Sequence, residues 1–451
     1  MTAARATIRA ALDRVFPRGA ILLSVLSLVY FATGIVRNRV FANTYGAGAE
    51  LDAYNAAFRI PEIALDVLVA AGLTAPFVPI YSRLRHDDGD EPADEFGRSV
   101  LTGAVGLMTI ASIAIFIAAP WLAGVVGEGF DGATQDLYVQ LLRINCLAQV
   151  MFAASIALGE ILVAHRRFLF YALAPILYTT GIILGTVLFA DRFGVVASAW
   201  GAVAGAAAHL TIRAVGTTRT SFRIRPAFAV RTAAFREFLR LMFPRMFSVA
   251  IEPLTITYFT RVAAGLGVGS ISALNFGLDY QVVPVSLIGV SFSLAVFPLL
   301  SAAYADDDRS AFRTILVRNV VTIGILTSLA AVALFVLSGT LVDVLLGGGK
   351  FTPEDVAVTS AVVAAFALSV PFDALAYPLS RGLYATHDTI RQVGASFAGL
   401  GAVILATTLL VPELGILGIP LGYGAGVIVK VLLLAIFLAP RVRRIGVSPA
   451  R

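Results

Sequence analysis

The sequence predicts an all-α polytopic membrane protein of about twelve transmembrane helices, arranged as two parallel six-helix lobes around a central cavity. Three observations carry that prediction. Apolar runs of roughly 20 residues, the length that spans a bilayer as a helix, recur from end to end. Arginines concentrate in alternate connecting turns. The pattern of the first half returns in the second at a spacing of about 220 residues.

Composition supports the first observation. The chain has 451 residues, 58% of them hydrophobic and only 14% charged, with a mean hydropathy of +0.87. A soluble domain carries about 25% charged residues. The runs are continuous rather than alternating, which argues against a β-barrel. No cleavable signal is expected, because no small-residue cleavage site and soluble domain follow the first run. Net charge is +6, nearly all of it arginine, and reads as membrane topology rather than nucleic-acid binding. Cys146 is the sole cysteine and lies inside an apolar run, so neither a disulfide nor a cysteine metal site is expected.

The expected spans are 20–44, 52–81, 97–126, 135–162, 168–190, 194–214, 237–264, 268–303, 311–346, 355–381, 389–411 and 415–438. With the N-terminus in the cytoplasm, the even-numbered turns face inward. These contain Arg83 and Arg85, Arg166 and Arg167, Arg213 to Arg236, Arg309 and Arg313, and Arg391. Arg441, Arg443 and Arg444 follow the last span, while the outer turns hold little beyond Arg192 and Lys350. The positive-inside rule therefore places both termini in the cytoplasm. The domain reading is a cytoplasmic segment 1–19, an N-lobe 20–215, a cytoplasmic linker 216–236, a C-lobe 237–440 and a cytoplasmic tail 441–451.

The repeat pairs TYGAGAELDAYNAAFRIP and a helix ending FVPIYSRL with GLGVGSISALNFGLDYQVVP and a helix ending VFPLLSAAY. It also pairs HRRF and FGVVASAWGAVAGA with HDTI and LGILGIPLGYGAGV. Six spans is an even number, so both copies enter the membrane from the same side as parallel repeats. Alternating access by rocking one lobe against the other follows from that symmetry.

Charges inside the spans are the functional signal, since each costs about 2.5–3.5 kcal/mol at mid-bilayer unless it faces protein or a wet cavity. The first two spans carry Arg37, Arg39, Asp52, Arg59, Glu62 and Asp66; Arg59, Glu62 and Asp66 share one helical face. The second half carries Arg245, Glu252, Arg261, Asp279 and Asp373, with Lys430 read as snorkelling. Arginines in a wet cavity clamp phosphate bidentately. The plain alternative is mutual neutralisation, as between Arg59 and Glu62 or Arg245 and Glu252, and for Arg37 snorkelling to the interface. Gly34, Gly46, Gly48, Gly267 and Gly269, with Pro61, Pro79, Pro284 and Pro298, read either as hinges or as tight turns and close packing.

No enzymatic constellation is present. The four histidines make no metal spacing. GGGKF at 347–351 lacks the first glycine spacing and the Ser/Thr of a phosphate loop. Transport would then draw on the membrane potential, a Na+ or H+ gradient, or the substrate gradient, with Glu252 as the candidate coupling-ion carboxylate. No cofactor, no metal and no obligate protein partner is expected.

The run RNRVFANTYGAGAELDAYNAAFRIP…FVPIYSRL resembles the opening of the MurJ (MviN) lipid II flippases, within the multidrug/oligosaccharidyl-lipid/polysaccharide exporter superfamily. LLRINCLAQVMFAASIALGEILVAHRRFLFYALAPILY at 141–178, LRLMFPR at 239–245, GSISALNFGLDYQVVPVSLIGVSFSLAVFPLLS at 269–301 and KFTPEDV at 350–356 follow in the same order, so the resemblance covers roughly residues 20–440. It implies a transporter that moves lipid-linked peptidoglycan precursor from the inner to the outer leaflet. The family's Arg before the GAG turn matches Arg37, its following Asp matches Asp52, and its AF(R/K)-x-P basic residue matches Arg59. Three family arginines fall instead at Phe31, at Leu65 and Asp66, and at Asp279. Arg245 and Arg261 are the candidates to replace that charge. Many members continue for two more helices, whereas this chain is read as ending after about twelve.

The candidate substrate-binding residues are thus Arg37, Asp52, Arg59, Arg261 and Asp279. Arg37, Arg59 and Arg261 would contact the pyrophosphate of a lipid-linked glycan, while Asp52 holds an arginine or gates the outer turn. The alternatives are a flippase for another undecaprenyl-linked glycan, a cation-coupled drug exporter of the same fold and, least supported, a glycan polymerase.

Overall fold

The computed structural model describes residues 18–73 and 76–443, so most of the expected segment 1–19 and tail 441–451 lies outside the described residues. Helix dominates throughout, with one isolated bridge between Gly348 and Phe351. The helices are α1 Arg18–Tyr45, α2 Ala49–Leu65, α3 Phe77–Asp87, α4 Asp90–Val126, α5 Gly132–Ala164, α6 Phe168–Phe193, α7 Val196–Thr217 and α8 Ala233–Val249. They continue as α9 Ile251–Ala264, α10 Ser270–Pro284, α11 Ser291–Ala305, α12 Arg309–Leu346, α13 Pro353–Ala367, α14 Val370–Ala385, α15 Thr389–Leu414 and α16 Gly418–Arg443.

Eight stretches among the described residues are long and apolar enough to cross a membrane. One of them, Thr389–Pro440, contains both α15 and α16. The expected spans 52–81, 194–214 and 237–264 are largely helical but fall outside that set. Leucine, valine and phenylalanine side chains stay exposed along these stretches, Trp121 and Ile117 at 71% and Ile110 at 68%, as a bilayer rather than water requires.

Backbone packing divides the chain into two units. Unit 1 comprises Met1–Tyr45 with Ala53–Leu254, and unit 2 comprises Gly46–Asp52 with Thr255–Arg451. In unit 1, α6 and α7 form the closest hairpin. A methyl group on Gly185 would lie 2.6 Å from the Gly201 Cα, and one on Gly181 would lie 2.5 Å from the Gly205 Cα. Small residues let two backbones meet this way where lipid offers no hydrophobic drive to association. Unit 2 repeats the device between α15 and α16: a methyl on Gly422 would lie 2.7 Å from the Thr407 backbone nitrogen, and one on Gly418 would lie 2.6 Å from that of Val411.

Other details repeat inside each unit. Gly194 and Gly415 end α6 and α15 at φ 56° and 55°. Arg166 and His387 occupy equivalent turns at φ 56° and 57°, which moves the HRRF–HDTI pairing by one residue. A proline and then a π-helical turn break the expected second and eighth spans alike: Pro61 before Asp66–Ala70, and Pro284 before Val285–Val290. Proline has no N–H to give, and the wider turn re-registers the ladder beyond it.

Alternate turns gather at opposite ends of unit 1. At one end, the Tyr45 hydroxyl meets Ser198 Oγ at 2.7 Å. At the other, basic end, Tyr81 donates to Asp94 at 2.6 Å, its ring lies 5.7 Å from that of His165, and Arg167 donates to the Arg219 carbonyl at 2.9 Å. The segment 218–232, within the expected linker 216–236, is held on this end. Phe222 is buried in a core with Tyr81, Ala93 and Phe96, and the Ala227 and Ala229 N–H groups donate to Thr102 Oγ1 and Ser99 Oγ. Arg83 of α3 pairs with Glu237 of α8 at 2.5 Å.

Candidate functional site

In unit 1 the charges of α1 and α2 form one electrostatic cluster. Arg37, half-buried, donates through Nε and Nη2 to Asn38 Oδ1 at 3.1 and 2.8 Å. It lies near enough to Tyr54, Tyr178 and Glu62 to act on each. Arg59 Nη1 stands 3.5 Å from Glu62 Oε2 one turn along α2, and Asp66, which opens the π-helical turn, acts on Glu62 as well. The shared face read from the spacing of Arg59, Glu62 and Asp66 is therefore joined by Arg37 from α1 and by Tyr178 from α6. Tyr178 was absent from the sequence reading because its partners lie more than a hundred residues away.

Asp52 has a different setting. It belongs with unit 2, where its carboxylate accepts from the Gly269 N–H at 2.6 Å, the Ser272 N–H at 2.7 Å and the Ser272 hydroxyl at 2.6 Å. It thus supplies the anionic cap that the first turn of α10 needs, at a helix start whose own N-cap, Gly269, has no side chain to offer. Of the two roles expected for Asp52, holding an arginine is not what these contacts provide; the residue is bound to the turn that precedes α10.

Arg261 is exposed in the last turn of α9. Asp279 is half-buried on α10, beside Tyr280. Glu252 and Arg245 are both exposed. In unit 2, Asp373 Oδ2 accepts from Tyr423 at 2.8 Å and from Gln281 at 3.0 Å. It sits in the first turn of α14, after the break that Pro371 introduces into the tenth expected span.

One arginine counted toward the basic turns proves to be interior. Arg213 is only 6% exposed; its Nη1 donates to the Ser155 carbonyl at 2.9 Å, and its guanidinium lies 4.8 Å from the Tyr171 ring centroid. Glu160 is buried close by and acts on it, and His209 meets Ser155 Oγ at 2.7 Å. The signal for this was present in the sequence: His209 and Arg213 are four apart on an otherwise apolar helix, hence on one face.

Comparison with known proteins agrees with the architecture. The family model described as "Lipid II flippase MurJ" matches residues 41–448. The lipid II flippase MurJ of Burkholderia cenocepacia is 25% identical over 432 residues, covering 94% of this chain and 84% of that protein. A probable lipid II flippase MurJ of Thermotoga maritima is 27% identical over 358 residues, covering 79% and 71%. Among solved structures, an inward closed conformation of lipid II flippase MurJ superposes with a TM-score of 0.80 at 24% identity, covering 93% of this chain and 87% of that one. An inward-facing multidrug resistance MATE family transporter of the MOP superfamily gives 0.76 at 15% identity, covering 94% and 98%.

Proposed function

The chain belongs to the lipid II flippase MurJ family, and from that premise we propose that it carries lipid II from the inner to the outer leaflet of the cytoplasmic membrane by alternating access. It is a multi-pass transporter rather than a hydrolase. The observation that supports the chemistry is the Arg37–Arg59–Glu62–Asp66 cluster: two guanidiniums kept on membrane-embedded helices of unit 1, where a pyrophosphate is a ligand worth their cost. Arg261 of α9 is a further candidate contact. Asp52 serves the outer turn, as the cap of α10. The distribution of arginines supports an orientation with both termini in the cytoplasm.

Complementation tests the reading. Expression in a strain depleted of its own lipid II flippase restores growth, and membrane-inserted protein that fails to do so overturns the substrate assignment. Asp279, standing where the resemblance expects arginine, favours a second reading, a flippase for another undecaprenyl-linked glycan. Mass spectrometry of lipid co-purified with the protein separates the two. The driving force is assigned to the membrane potential or to a Na+ or H+ gradient, with Glu252 as the candidate carboxylate. Flipping in proteoliposomes that loses its dependence on each gradient in turn identifies it.

A further inference from the structure

The basic end of unit 1 carries a strap that the repeat leads one to look for in unit 2. In unit 1 the chain leaving α7 turns back and buries Phe222 beside Tyr81; a methyl group on Gly97 would lie 3.0 Å from the Phe222 ring and 3.3 Å from that of Tyr81. Ser221 Oγ stands 3.5 Å from His165 Nε2. Unit 2 rebuilds the receiving surface. Tyr304 stands 223 positions after Tyr81, and its ring lies 6.2 Å from that of His387 in the adjoining turn, as the Tyr81 ring lies 5.7 Å from that of His165. Here the surface opens into a cavity of about 610 Å³, lined by Tyr304, Phe312, Thr386, Arg391, Ile436 and Phe437 among others.

The sequence contains a matching occupant. Residues 222–227 read FRIRPA, and residues 445–450, 223 positions later, read IGVSPA. Both are apolar–x–β-branched–x–Pro–Ala, both follow the sixth helix of their repeat, and the offset equals that between the two tyrosines. The sizes are complementary. Ala93, four residues into α4, is replaced by Phe312 at the same place in α12, while the incoming Phe222 is replaced by Ile445. We propose that the cavity at the basic end of unit 2 is the docking site for residues 445–450 of the same chain, a second strap that ties the ends of α11, α12, α14 and α16. Ser99 and Thr102, whose hydroxyls accept the backbone of the first strap, are replaced at the same places in α12 by Arg318 and Val321. The second strap therefore has fewer anchors and exchanges more readily than the first.

Disulfide trapping in the full chain, in lipid nanodiscs and on a Cys146→Ser background, tests this. Ile445→Cys is paired with Tyr304→Cys and with Arg391→Cys. Ser221→Cys with His165→Cys serves as the unit 1 reference, and Ile445→Cys with Val344→Cys, at the far end of α12, as background. Trapping at the cavity pairs well above background is expected. Trapping at neither, while the reference pair forms, overturns the proposal. A second measurement needs no second cysteine: replacing 445–450 by a Gly-Ser segment of equal length speeds maleimide labelling of Arg391→Cys about fivefold, the loss of roughly one kcal/mol of protection. If that replacement changes nothing and added anionic phospholipid slows labelling instead, the occupant is lipid and the proposal fails.

Discussion

Asp52 and Ser272 are joined twice: Asp52 Oδ1 accepts from the Ser272 backbone N–H at 2.7 Å and from its hydroxyl at 2.6 Å, while Oδ2 accepts from Gly269. A buried carboxylate with three donors is well satisfied, and the cap holds the start of α2 to the start of α10. Asp52→Ala leaves those donors without an acceptor and is expected to cost about 1–3 kcal/mol, read as a lowered melting temperature in nanodiscs. Asp52→Asn keeps the shape but puts an NH2 against a donor, and recovers only part of the loss. Equal melting of all three proteins would show that the cap is not a stability element.

The α1–α2 cluster leads to a different kind of result. On the proposed pyrophosphate contact, Arg37→Ala and Arg59→Ala are expected to lower flipping by about tenfold or more each, with folding retained. Glu62→Gln frees Arg59 from its 3.5 Å partner and should affect transport less than either arginine. Unchanged flipping by both arginine variants at equal expression would remove the cluster from the substrate path.

Gly201 of unit 1 and Gly422 of unit 2 occupy the same place in their hairpins, and Gly185 and Gly418 stand at further close approaches of the same helix pairs. Leucine at any of them collides with the facing backbone and is expected to destabilise by about 1–3 kcal/mol or to block assembly. Gly103, with nothing within 4 Å of an added methyl, is the control that should tolerate alanine. Limited proteolysis of membranes reads both outcomes.

Arg213 tests the worth of an interior guanidinium. Arg213→Ala leaves the Ser155 carbonyl without this donor and the Tyr171 ring without its cation, and is expected to cost about 1–3 kcal/mol. Glu160→Gln leaves Arg213 with the Ser155 carbonyl and the Tyr171 face, and should cost clearly less. The double variant Glu160→Gln/Arg213→Ala should melt above Arg213→Ala alone, a result that loss of packing would not produce, since both variants lose the same Arg213 side chain.

Asp131 caps α5 by accepting from the Thr134 N–H at 2.8 Å, and its hydrogen bonding to Thr134 holds its carboxyl below the ordinary range. A carboxyl depressed on folding stabilises above its unfolded pKa, and that contribution disappears as pH falls through the folded value. Asp131→Ala should therefore melt below the parent at pH 7, and the difference should close in acid, below about pH 4. A difference independent of pH would assign the effect to something other than the charged cap.

The residues show which features a one-dimensional reading can reach. The π-helical breaks of both repeats were foreshadowed by Pro61 and Pro284, because proline acts on the local backbone. The Arg59–Glu62 contact was legible because it spans one helical turn. Arg213 was misplaced because a basic residue near a helix end looks the same whether it faces headgroups or a tyrosine ring. The capping of α10 by Asp52 was not legible because its partners lie more than 200 positions away.

By itself the sequence determined the membrane-embedded helical class, the two-fold repeat and the family, since hydropathy, period and ordered motifs are properties of segments. Only the tertiary structure decided what each interior charge is for: Asp52 a helix cap, Arg213 part of an interior cluster, Phe222 the anchor of a strap. Those roles depend on which distant groups come within hydrogen-bonding reach, and in a low-dielectric interior that proximity decides whether a charge is a structural tie or a binding group.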